Sequence, residues 1–246
     1  MGVFCRASDG IGAIARRDNP TVFAFSLFII FGMQFANVGV TTLLCRGEAR
    51  EIKNNYRELA LYISETVDRK RLFTLRFRVF SDGVAFRYEI PPQPKFRQIS
   101  IKDELTEFSL DLNTIAWKIP AYQPDRYEYN YERTNVYALE HSVHTPLTLH
   151  TPNGYYLSIH EAALYNYGSM TIKLSDQQVL KTDITPLSDG TKAHISLPFN
   201  TPWRLIMVAS SAIELTANRT MYALNKAPTQ DFSWVHTLKF IGIWCK

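Results

Sequence analysis

Glu161 is the residue whose position demands most of its surroundings. In the run Tyr155-Tyr156-Leu157-Ser158-Ile159-His160-Glu161, strand alternation puts Glu161 on the same face as Tyr155, Leu157 and Ile159. A carboxylate that continues an apolar row is costly to desolvate unless a cation, a metal ion or several hydrogen bonds meet it. His160 points the other way, with Ser158 and Tyr156. A strand that stopped at residue 160 would instead leave Glu161 in solvent, and spacing alone keeps both readings open.

Other residues with chemical potential are less demanding. Tyr127, Tyr129 and Tyr131 alternate with Glu128, Asn130 and Glu132, so a strand there would gather three rings on one face, either to stack on a sugar or to form ordinary cross-strand pairs. His141 and His144 have the spacing of one helix face, but Pro146 argues against a helix and so against a metal pair. Thr201-Pro202-Trp203-Arg204 opens a strand in which Trp203 anchors a core and Arg204 faces outward into a surface ion pair. Asp103 and Glu104 are neighbours in sequence, hence on opposite strand faces, and cannot by themselves be the facing acid and base of a glycosidase. No esterase, zinc-protease or nucleotide-binding motif has a convincing context.

The elements that must position these groups read as strands. Leu59, Leu61 and Ile63 alternate. Phe73, Leu75, Phe77 and Val79 oppose Thr74, Arg76 and Arg78, and Ser81-Asp82-Gly83 turns the chain into Val84, Phe86, Tyr88 and Ile90. Further strands are predicted at 97–101, 106–110, 115–119, 127–131, 146–150, 169–174, 178–182, 192–197, 203–209 and 219–225, with turns at Asn153-Gly154 and Ser188-Asp189-Gly190. Many short strands with almost no 3.6-residue period predict an all-β, antiparallel sandwich.

The net charge of +4, from 27 basic and 23 acidic residues dispersed along the chain, excludes a nucleic-acid footprint. Cys5, Cys45 and Cys245 lack the spacing of a zinc site, a redox pair or a disulfide framework. Residues 1–46 read as a leader. Its apolar segment, 21–40, follows Arg16 and Arg17 and suits either a cleaved export signal or a membrane-spanning anchor, so the protein is expected to be exported or membrane-tethered.

Several segments, in one order, resemble the N-terminal domain of glycoside hydrolase family 97. They are Glu51–Leu59, Phe77–Tyr88, Asp103–Phe108, Ser158-Ile159-His160-Glu161-Ala162-Ala163-Leu164, Thr201-Pro202-Trp203-Arg204 and Ile241–Trp244. The resemblance implies a β-super-sandwich of the galactose-mutarotase type over residues 47–240, packed on a catalytic (β/α)₈ barrel whose first strand would begin at 241–246. It also implies a calcium-dependent, exported α-glycosidase, either an inverting α-glucosidase or a retaining α-galactosidase. Its substrate would be an α-linked oligosaccharide or a galactoside. Glu161 would be the carboxylate this domain lends to the calcium, with His160 contacting substrate or supporting the loop.

The departures from the family are also informative. The general acid and its partner carboxylate belong to the barrel, so a chain ending at Lys246 is expected to be inactive alone. Cys245 stands where a second tryptophan is usual, and the apolar leader replaces the family's first strands. Both ends then look cut, and missing strands would leave sheet edges unpaired and the domain poorly soluble. The alternative is a stand-alone carbohydrate-binding module using Tyr129 and its neighbours.

Overall fold

The computed structural model describes residues 28–44, 51–66, 70–123 and 128–226, with isolated positions beyond. Tyr127, the three cysteines and all of Ile241–Trp244 except Gly242 lie outside the described residues. The chain runs through β1 (Phe28–Leu44), β2 (Glu51–Glu65), β3 (Leu72–Phe80), β4 (Gly83–Ile90), β5 (Gln98–Ile101), β6 (Glu107–Phe108), β7 (Ile115–Lys118) and β8 (Glu132–Asn135). It continues through β9 (Val143–His144), β10 (Leu147–His150), β11 (Tyr156–Ala162), β12 (Met170–Leu174), β13 (Leu180–Ile184), β14 (Ala193–Ser196), β15 (Phe199–Asn200) and β16 (Trp203–Ala209). Helices α1 (Ala212–Ala217) and α2 (Thr220–Leu224) follow.

The strands form an antiparallel sandwich. A ten-stranded sheet has the order β1-β2-β3-β4-β16-β11-β10-β7-β8, with β15 also on β4, and a four-stranded sheet, β6-β13-β12-β9, lies against it. Between them Leu75, Phe86, Leu147, Leu157, Ile159 and Ile206 of the large sheet pack on Phe108, Met170, Ile172, Leu180 and Ile184 of the small one. The inward residues recur at every second position of their strands, which is the pleat expressing the sequence alternation. A β5–β14 ribbon adds a smaller cluster, where Ile99, Ala193 and Ile195 pack on Ile90.

The β3–β4 hairpin forms as its sequence predicts, with Phe80 opposite Gly83. Gly83 is required by space, because a Cβ there would come within 2.9 Å of the Ile206 carbonyl oxygen on β16. Gly154 has a φ of 86°, so the Asn153-Gly154 turn needs glycine's left-handed freedom.

Three expectations are corrected. Residues 28–44, expected within a leader, are part of the domain. They are an edge strand paired with β2 from Phe28–Glu65 to Leu44–Glu51, and no helix among the described residues is long and apolar enough to cross a membrane. An uncharged run rich in Phe, Ile, Val and Thr suits a pleated sheet as well as a membrane helix. Residues 128–131 lie outside any strand, since β8 begins at Glu132. The segment 219–225 is mostly helix α2, whose buried Thr220, Ala223 and Leu224 share one helical face.

Candidate functional site

Glu161 lies near the end of β11, 8% exposed, with Leu157 and Ile159 preceding it on the core face. Tyr155 does not belong to that row: it precedes β11 and is half exposed. The cation that meets the carboxylate is Arg204, its register partner on β16. Arg204 Nη1 donates to Glu161 Oε2 at 2.7 Å, and the Met170 backbone N–H donates to Oε1 at 3.0 Å.

Arg204 is fully buried and reaches a second acid. Its Nε and Nη2 donate to Glu104 Oε1 and Oε2, both at 2.7 Å, a bidentate fork that fixes the guanidinium plane. Thr106 Oγ1 donates to Glu104 Oε1 at 2.9 Å and the Tyr167 hydroxyl to Oε2 at 3.1 Å. Burial alone would raise the Glu104 carboxyl, but the Arg204 charge and these hydrogen bonds hold it below the usual carboxylate range. Burial likewise opposes the charge on Arg204, and the two carboxylates push its pKa up. Burial and the nearby Glu104 charge raise the Tyr167 hydroxyl, keeping it a donor. The trio carries two negative charges against one positive.

The expectation that Arg204 faces outward is therefore corrected. Its strand is apolar in both rows: Ile206 and Val208 follow it on the core face, while Trp203, Leu205 and Met207 fill the other beneath α2. An arginine in a strand covered on both sides has to be buried and paired. Trp203, 1% exposed, is stacked by the guanidinium groups of Arg78 and Arg87, with centroid distances of 4.8 and 4.3 Å.

His160 faces opposite to Glu161, as alternation requires. Burial lowers its pKa despite the Glu161 charge, and its buried Nδ1 has no hydrogen-bond partner. Beyond Glu161 the chain enters a tight loop. Ala163 and Asn166 have φ of 54° and 52°, a left-handed backbone that costs about 1 kcal/mol or more in an alanine. Ala163 N–H donates to Asn225 Oδ1 at 3.0 Å, and a Cβ on Gly168 would come within 2.5 Å of the Thr185 carbonyl oxygen. Leu164 and Tyr165 are exposed on this loop.

The other sequence candidates do not converge here. Tyr129 is half buried and Tyr131 exposed, in irregular backbone, so the expected ladder of rings is not built. His144 ends strand β9, while His141 is exposed before it. Among the described residues no group of three or more His, Cys, Asp and Glu side chains could hold a metal ion.

The family model for the glycosyl-hydrolase 97 N-terminal domain matches residues 21–227. The chain belongs to this family. A family 97 enzyme from Pseudoalteromonas sp. strain K8, solved with acarbose, is 34% identical and superposes with a TM-score of 0.79 over 85% of this chain and 32% of that one. The retaining alpha-galactosidase of Bacteroides thetaiotaomicron is 21% identical over 227 residues, 80% of this chain and 33% of that protein. A beta-arabinopyranosidase shares the fold, with a TM-score of 0.67 at 19% identity. The chain thus spans about a third of the length of these relatives.

In this family 97 domain Glu161 can offer a metal only part of its coordination. Calcium takes about six to eight oxygens, whereas each oxygen of Glu161 already accepts one protein hydrogen bond and keeps acceptor capacity for one more contact. It fits as a single ligand of a site completed from elsewhere. Sequence reasoning found Glu161 but missed Glu104 and Arg204, although the two apolar rows of β16 were a usable signal for a buried, paired arginine.

Proposed function

We propose that this chain is the sandwich of a calcium-dependent α-glycosidase, packing on a catalytic barrel and completing its active site with Glu161 as one calcium ligand. The reading rests on one observation above all: a family 97 domain presents a nearly buried carboxylate, clamped in orientation by Arg204, beside a strained loop with exposed Leu164 and Tyr165. Strain of this kind clusters at functional positions, and the clamp fixes the orientation in which Glu161 would meet a cation. His160 supports the loop from the other face of β11.

Alone, the domain does not hydrolyse glycosides under this reading. Glycoside hydrolysis takes two carboxylates flanking the bond, and Glu104 and Glu161 are both bound to one guanidinium. The substrate class, an α-linked glucoside or galactoside, follows from the relatives.

The test supplies a family 97 barrel in trans and follows nitrophenol release from 4-nitrophenyl α-glucoside and α-galactoside. Release that requires calcium and falls sharply in Glu161→Gln supports the proposal. Calcium-dependent turnover by the chain alone, or reconstituted activity indifferent to Glu161→Gln, overturns it.

A further inference from the structure

At the opposite end of β11 from Glu161, roughly 20 Å away at the strand's rise per residue, lies an open groove of about 470 Å³. Its floor is Val208 and Ala209 of β16, and Ser81 and Asp82 of the β3–β4 turn form one wall. The other wall is Glu214 and Ala217 of α1 with Asn218, and Tyr155, 49% exposed, supplies an aromatic face.

We propose that this groove binds a neutral, hydroxyl-rich ligand, a short oligosaccharide. The walls are preorganised by bonds within the protein. Asp82 Oδ1 accepts from Thr220 Oγ1 at 3.0 Å, the Asp82 carbonyl accepts from Asn218 Nδ2 at 2.8 Å, and Glu214 Oε2 accepts from the Ser210 N–H at 3.1 Å. Each carboxylate therefore has one oxygen engaged within the protein, which leaves Asp82 Oδ2 and Glu214 Oε1 with acceptor capacity. Hydrogen bonds from Ser210 hold the Glu214 carboxyl below the usual range.

Among the described residues no lysine, arginine or histidine lines the groove, so it repels anions. Fixed acceptors beside a tyrosine face match the hydroxyls and the apolar C–H face of a sugar ring. The volume lies in the range of about 300–1,000 Å³ that small-ligand sites occupy. The choice of α-linked sugars rests on the reading of the domain as part of an α-glycosidase; the exclusion of anions comes from the groove itself.

The experiment is calorimetric titration and saturation-transfer NMR of the chain with maltotriose and with raffinose. Tyr155 engages its neighbours through backbone atoms, with its N–H donating to Thr151 Oγ1, so Tyr155→Ala keeps the fold. One of the sugars is expected to bind, with affinity about tenfold weaker in Tyr155→Ala and little changed in Tyr155→Phe or Tyr129→Ala. Binding unaffected by Tyr155→Ala, binding lost in Tyr129→Ala instead, binding of tetramethylammonium but of neither sugar, or no binding at all would each overturn the proposal. None of these outcomes bears on Glu161, whose role is read from calcium-dependent hydrolysis.

Discussion

Glu161 and Arg204 sit directly opposite each other on neighbouring strands, and the bond between them, 2.7 Å long, is closed off from solvent on the arginine side. Arg204→Met removes the cation and leaves two buried carboxylates facing one another. Breaking a buried pair in this way costs about 3–5 kcal/mol. Arg204→Lys also loses the bidentate fork on Glu104 and falls between the two. Urea unfolding midpoints of the three proteins check the order.

Glu104 and Glu161 share one partner, so their effects are coupled. In a double-mutant cycle with Glu104→Gln and Glu161→Gln, the interaction energy is expected to be about 0.5–3 kcal/mol. Additive effects would mean that the guanidinium does not bridge them.

Stability should fall in two steps as the pH drops from neutrality. His160 is held below its ordinary value of about 6.5 by burial, so the unfolded chain binds the extra proton first and stability declines below about pH 6.5. His144, also lowered by burial, adds to this step. Glu104 is held below the ordinary carboxylate value, so its contribution is present above about pH 4.5 and is lost as pH falls toward the lowered folded value. Thermal midpoints against pH should show both steps, and His160→Gln should shrink only the first.

Ala163 adopts a backbone that glycine tolerates without penalty. Ala163→Gly is expected to stabilise the domain by about 0.5–1 kcal/mol, a small gain because glycine also loosens the unfolded chain. A loss of stability would show that the loop's φ is not left-handed in solution.

Strand β1 is a long edge with exposed Ile29, Ile30, Phe31, Met33 and Phe35 and no charged residue between Phe28 and Leu44. Natural edges are guarded by charge, bulges or brevity; β1 has two bulge-like register shifts, between Ile30 and Gly32 and between Val38 and Thr41, but neither charge nor brevity. Phe35→Lys should therefore reduce concentration-dependent association, measured by light scattering, without lowering the thermal midpoint.

The sandwich was legible from the sequence because its two-residue period is strong. Phe77, Val84 and Phe86 announce their face, and the hairpin between them has a clear turn. Glu161 was legible only in part: alternation put a charge in an apolar row, but Tyr155 does not belong to that row and spacing left a solvent-exposed carboxylate open as well. Arg204 was not, because alternation says which residues share a face and is silent on whether both faces are covered. α2, at five residues, is too short to display a helical period. α1 carried a usable signal, Ser211 with Glu214 three positions on; Ser211 Oγ accepts the Glu214 N–H at 3.2 Å. β1 was not legible: its run of apolar and small residues reads as an export signal or a membrane anchor, and apolar content alone does not announce a strand.

The ion trio joins segments far apart along the chain, with Glu104 separated from Arg204 by 100 residues and Glu161 by 43. During synthesis both acids leave the ribosome well before the arginine that pairs with them. Until β16 emerges, the two halves of the sandwich cannot close over Glu104 and Glu161 without burying unpaired charge. Arg204 is thus expected to act as a late latch, with the nascent domain open and hydrated at this seam until β16, the last described strand, has been made.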